Sequence, residues 1–180
     1  MRNRRRAPMF AAIVILSTLA VGFWMAGQVA ASAPTKIPLC LVSNLREVVG
    51  SASGAGQELY YDLQFRNGGR GTCELTGTPT AQPVVGSKNL SIGPPATKRH
   101  VNGRGGTVRL FATGVHRIAS VVFGVQSAAG RCAKVRYADG VDILFSSKLR
   151  FHFSIRPYQV CLGLATTDIF GISPGTRFNP

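Results

Sequence analysis

Two stretches of strict alternation constrain this chain most. From Glu58 to Arg66, Leu59, Tyr61, Leu63 and Phe65 alternate with Tyr60, Asp62, Gln64 and Arg66. Lys148 to Arg156 repeats the pattern, with Leu149, Phe151, Phe153 and Ile155 on one face and Lys148, Arg150, His152 and Arg156 on the other. Side chains of an extended chain point alternately to its two sides, so each stretch predicts a strand with one apolar face on a core.

The rest of the chain breaks into short apolar runs between glycines and prolines. Asn67-Gly68-Gly69 predicts a turn, because asparagine and glycine accept left-handed dihedrals, and Thr72 to Leu75 returns as a short strand. Val84-Val85, Leu90 to Ile92, Val108 to Ala112 and Ile118 to Val125 read as further strands, the last apolar enough to be central. Gly93 to Gly106 reads as a loop. Arg131 to Tyr137 and Val141 to Phe145 suggest a hairpin around Asp139-Gly140, and Val160 to Leu164 and Asp168 to Ile172 close the chain. Val42 to Val49 is one of the few short stretches with helical potential. Roughly eight to ten short strands predict an all-β antiparallel sandwich or barrel, with a sandwich of immunoglobulin-like architecture as the favoured form.

The N-terminus predicts the compartment. Arg2, Arg4, Arg5 and Arg6 precede an uncharged stretch from Met9 to Met25, and small residues follow from Ala26 to Ala33. That layout is a secretory signal over 1–31, cleaved after Ala31, or an uncleaved single-span anchor. Arginines ahead of the span hold that end in the cytoplasm, so both versions place the remainder outside. Residues 32–39 read as a linker and 40–180 as one extracytoplasmic domain. Export lets Cys40, Cys73, Cys132 and Cys161 form disulfides. Three pairings are open. Cys40–Cys73 and Cys132–Cys161 are favoured, because each pair brackets a compact local unit.

Charge is the main functional signal. Four of the 21 Lys and Arg precede residue 32, leaving 17 against seven Asp and Glu, a net charge of +10 on the exported part. Such a field favours anionic surfaces, and export makes nucleic acid the least expected of them. Candidate anion-binding residues are Lys134, Arg136, Lys148, Arg150, His152 and Arg156 in one stripe. Lys98, Arg99 and Arg104 form a second group, on the glycine-rich loop. The competing reading of these cations is a solvated sheet face guarded against aggregation.

No catalytic or metal-binding pattern stands out. Gly171-Ile172-Ser173-Pro174-Gly175 imitates a hydrolase nucleophile elbow. That elbow needs a following helix, a later histidine and a backbone N–H after the serine, and Pro174 has none. His100, His116 and His152 lack metal-ligand spacing, and no C-x-x-C is present, so no cofactor is expected.

Cys40, Leu45, Gly54, Gly56, Tyr61, Leu63, Phe65 and Asn67 lead to Thr72-Cys73, Leu75, Gly77 and Pro79. This order, N then T-C-x-L-x-G-x-P, with Cys132 and Cys161 later, resembles a family of bacterial exported envelope domains of unknown function. The resemblance implies a two-disulfide β-sandwich without enzymatic activity and carries over no catalytic residue. The expected function is therefore a non-enzymatic envelope module. Its basic surface would dock on a wall polymer, acidic lipid or acidic protein, and membrane contact would come only through an uncleaved N-terminal segment. A protein-interaction domain using an exposed strand edge, and a hydrolase with a site assembled from distant residues, are the rivals.

Overall fold

In the computed structural model, which describes residues 36–100, 105–128, 130, 132–146 and 149–176, a single 3-10 turn, Val42–Asn44, precedes the strands. These are β1 (Leu45–Ala55), β2 (Glu58–Asn67), β3 (Cys73–Thr76), β4 (Thr80–Val85), β5 (Leu90–Ser91) and β6 (Thr97–Arg99). There follow β7 (Thr107–Leu110), β8 (Ile118–Gln126), β9 (Val135–Ser146), β10 (Leu149–Cys161), β11 (Thr167–Phe170) and β12 (Ser173–Pro174). One sheet runs β1-β2-β8-β11-β6 with β12 also on β8, a second runs β10-β9-β4-β5, and β3 pairs with β7. The fold is the all-β sandwich expected. Every strand pair is antiparallel apart from β6 with β11.

Both alternating stretches turn their apolar face inward, apart from Leu59, which is exposed near the start of β2. Tyr61, Leu63 and Phe65 from β2 meet Phe151, Phe153 and Ile155 from β10 in one core. Phe65 is the junction, with its ring centroid 4.9 Å from Phe151, 5.3 Å from Phe153 and 5.1 Å from Phe145, all edge-on. Such pairs place the positive ring edge on a negative ring face and add to the apolar burial. β8 contributes Ala119, Val121, Phe123 and Val125, and Phe123 meets Tyr158 edge-on at 5.7 Å. The other face of β2 departs from the half-buried expectation. Asp62 and Gln64 are buried there too, and Gln64 Nε2 donates to Asp62 Oδ2 at 2.7 Å. Gly50 makes the room, since a Cβ there would lie 2.5 Å from Gln64 Nε2 and 2.8 Å from Asp62 Oδ2.

Several local expectations are corrected. Asp139-Gly140 is no hairpin turn, because β9 runs straight through it. Gly140 pairs with Ser154 on one side and Val84 on the other, and the Asp139 carboxylate accepts the Gly86 N–H at 3.1 Å. The chain instead reverses between Ser146 and Leu149, which pair. The strand after Asn67 does not return onto β2. Asn67 donates to the carbonyls of Gly71 and Leu110 at 2.9 and 3.1 Å and accepts the Gly69 N–H, which swings β3 over to β7. Val42 to Val49 is mostly β1, the presumed loop contains β6, and Val160-Cys161 end β10 instead of starting a new strand. The tight turn between β1 and β2 is Gly56-Gln57, with Gly56 at φ 63°.

The favoured cysteine pairing is the observed one, Cys40–Cys73 and Cys132–Cys161. Two disulfides point to an oxidising compartment. The first bridge fastens the segment before β1 alongside β3, where Cys40 N–H donates to Glu74 O and Glu74 N–H to Pro38 O, both at 2.9 Å. The predicted N-terminal segment, Arg104, Arg131 and Lys148 lie outside the described residues.

Two measurements check this packing. Phe65→Ala is expected to lower unfolding free energy by about 3–5 kcal/mol in urea denaturation. Replacing Cys40 and Cys73 together by Ala is expected to cost about 2–4 kcal/mol in the same assay.

Candidate functional site

With Phe151 and Phe153 committed to the core, Arg150, His152 and Ser154 share the outer face of β10. On β9, Val141 and Ile143 point inward, so Gly140, Asp142 and Leu144 share that same outer face. The register sets Arg150 opposite Leu144, His152 opposite Asp142 and Ser154 opposite Gly140. On the far side of β9, Gln82 of β4 stands opposite Asp142.

One carboxylate organises this face. The Asp142 side chain is 1% exposed, and Arg150 Nε donates to its Oδ2 at 2.8 Å, with Arg150 Nη2 on the same oxygen. His152 Nδ1 lies 2.9 Å from Oδ1, and His152 Nε2 lies 3.3 Å from Ser154 Oγ. An ionised carboxylate only accepts, so Nδ1 carries a proton in either charge state of the ring. Gln82 does not compete, because its amide donates to the carbonyls of Pro83, Ile92 and Gly93 at 3.2–3.3 Å. Glycine at 140 is a requirement of the site. A Cβ there would stand 2.6 Å from His152 Cε1 and 3.1 Å from the Phe153 carbonyl oxygen.

Arg150 is anchored on its inner edge and open on its outer one, with 58% of its side chain exposed. It borders a cavity of about 340 Å³ whose lining includes Thr80, Gln82, Ser91 and Leu144. Carboxylate, imidazole and hydroxyl stand in the order of a hydrolytic triad. Here, however, Arg150 occupies the second carboxylate oxygen, and the cavity is lined by Arg150 and by neither His152 nor Ser154. The arrangement leaves the outer edge of the Arg150 guanidinium facing solvent beside that cavity.

The remaining candidate cations fall elsewhere. Lys98 and Arg99 are on β6, at the edge of the other sheet, where Arg99 Nε meets the buried Asp168 Oδ1 at 3.1 Å. Asp168 also accepts from Gln126 Nε2 at 3.0 Å, and its hydrogen bond and charge hold Arg99 more firmly protonated than usual. Lys134 and Arg136 are exposed near the opposite end of β9 and β10, where Arg136 faces Val160. Eight residues of strand separate Arg136 from Leu144, the partner of Arg150, or about 26 Å at the usual rise per residue. Arg156 is exposed in the irregular stretch between Ser154 and Tyr158. It sits close enough to Tyr61 to offset part of the upward shift that burial gives that phenol. Burial likewise pushes the Tyr158 hydroxyl far up, and it donates to the Gly140 carbonyl at 3.0 Å. The stripe expected from sequence is thus two separate groups, with Lys148 outside the described residues. Ser173 of the glycine-rich decoy lies beside Ser120, Oγ to Oγ 3.4 Å.

Sequence reasoning missed Asp142, Ser154 and Gly140. The available signal was Val141-Asp142-Ile143, a lone acid between core residues that alternation must turn outward. Among the described residues, no three or more His, Cys, Asp and Glu side chains gather in a way that would hold a metal ion. Comparison of the chain with protein-family models, curated proteins and solved structures returned no match.

Gly140→Ala is expected to push the His152 ring off Asp142 at a cost of about 1–3 kcal/mol. A urea midpoint and a His152 side-chain NMR spectrum both equal to those of the parent protein would refute this role.

Proposed function

We propose that this chain is a non-enzymatic, extracytoplasmic module of a bacterial envelope. In this reading it engages an anionic partner, whether wall polymer, acidic lipid or acidic protein, through the outer face of β9 and β10. The observation that carries it is the buried Asp142 beneath the half-open guanidinium of Arg150. A carboxylate in that position fixes the cation's orientation without facing the partner itself. Across the molecule, three of the seven Asp and Glu are buried, Asp62 and Asp142 at 1% and Asp168 at 4% exposure. The charge facing solvent is therefore more cationic than the formal total suggests. The N-terminal layout, the two disulfides and the resemblance to exported envelope domains support the compartment.

A strand-edge reading has β10 in its favour, because it ends its sheet with no strand paired on its far side among the described residues. Salt separates the two readings, since screening weakens exposed charge contacts and spares backbone pairing and apolar contact.

Binding to envelope fractions is expected to fall at least about tenfold when Lys148, Arg150 and Arg156 are all changed to Gln, and to vanish near 0.5 M salt, about where the screening length drops to a few ångströms. Binding that ignores salt and survives the triple change refutes the proposal. Recovery of one stoichiometric partner at high salt assigns the strand edge instead.

A further inference from the structure

We infer that Arg150, His152 and Ser154 form one proton-gated site for a phosphodiester group, closed while His152 is neutral and open once it takes a second proton. The inference rests on the binding reading above and adds the ligand's chemistry and its regulation.

The gate follows from the direction of two hydrogen bonds. With His152 neutral, Nδ1–H donates to Asp142, so Nε2 bears a lone pair and takes the hydrogen of the Ser154 hydroxyl, 3.3 Å away. Arg150 and Asp142 then cancel, and the outer edge of the imidazole offers an acceptor that repels an anionic oxygen. Protonation reverses both groups. Nε2 becomes an N–H donor, the Ser154 hydroxyl hydrogen is released to point outward, and the cluster gains a net positive charge. Arg150 keeps unspent N–H groups on its exposed side, beside the cavity of about 340 Å³. A tetrahedral phosphodiester, with two anionic oxygens pointing apart, answers donors arriving from a guanidinium edge and an imidazolium edge. A planar carboxylate is satisfied by the guanidinium alone.

The charged groups on the elements packed around His152 are these. β9 contributes Asp142, β10 contributes Arg150 and Arg156, β4 contributes the neutral Gln82, and β1, which also packs against β10, carries the exposed Arg46 and Glu47. Asp139, also on β9, is engaged with the Gly86 N–H. Glycine at 140 lets the ring lie where it reaches both Asp142 and Ser154.

The test measures affinity of the full chain at constant ionic strength between about pH 8 and about pH 5, the range in which histidine changes charge. One probe is a soluble glycerol phosphodiester, and the other is a vesicle of phosphatidylglycerol. Phosphodiesters stay singly ionised over this range, so the titration read is the protein's. Affinity is expected to rise about tenfold toward low pH, the order of one added charge-assisted donor. His152→Gln is expected to bind with no pH dependence, and Ser154→Ala to lose part of the low-pH gain only. His100→Gln with His116→Gln is expected to keep the gain in full. A gain with both probes marks the phosphodiester itself as the ligand, and a gain with vesicles alone marks a lipid headgroup. Flat wild-type affinity, or a full gain in His152→Gln, overturns the inference. Salt-sensitive binding to envelope fractions at fixed pH that persists in that case leaves the broader function standing, and loss of binding at every pH removes both.

Discussion

The packing of Phe65 against Phe151 and Phe153 dictates the chemistry on the opposite side of the sheet. Successive side chains of a strand alternate, so once two phenylalanines of β10 are in the core, Arg150, His152 and Ser154 have no other place than the outer face. The same applies to Asp142 between Val141 and Ile143. Core and site are therefore one set of constraints read from two sides. A slip of one residue in either strand would exchange them.

Register decides whether those outward residues meet. Ser146 pairs with Leu149, and an unbroken ladder from that pair would set Phe153 opposite Asp142. That would put a core ring and a carboxylate on the same face. The irregularity between Leu149 and Arg150 shifts the pairing by one, and His152 arrives opposite Asp142 instead. Bulges of this kind re-aim side chains in many sheets. Here the shift gives a buried carboxylate two cationic or hydrogen-bonding neighbours, which it needs, since an ionised group kept from water is costly unless paired. Arg150 and His152 are in turn coupled through it. What one does to the Asp142 charge is felt by the other.

Alternation, turn residues and cysteine count made the sandwich and its two bridges legible in the sequence, because each acts over a few residues. The errors came from longer-range choices. Asp139-Gly140 carries turn chemistry, yet β4 and β10 flank it on both sides and hold it extended. The glycine serves a neighbour's ring instead of a turn. The basic face was visible as a row of cations. Its partner acid was not, because Asp142 lies on another strand and meets His152 only through a bulge that no local pattern announces. Arg99 and Asp168 were separated in the same way, by a parallel pairing of β6 with β11 that bridges distant parts of the chain.

These buried acids change how the basic composition is to be understood. A surface with acids and bases interspersed attracts nothing in particular. Here Asp142 and Asp168 are set below Arg150 and Arg99, so each pair is a dipole with its positive end outward. Dipoles alone attract anions weakly at a distance, and the net charge supplies the longer-range pull. The two effects divide the work. In the envelope reading proposed above, net charge would bring an anionic surface close in a salt-dependent way, and the carboxylate-anchored guanidinium would then set where on the protein it rests. At Arg150 the carboxylate is shared with His152, whereas at Arg99 it is shared with the neutral Gln126, and the Glu58 charge also acts on that guanidinium. The two pairs are alike in construction, and the one on β9 and β10 also holds a histidine ring against its carboxylate.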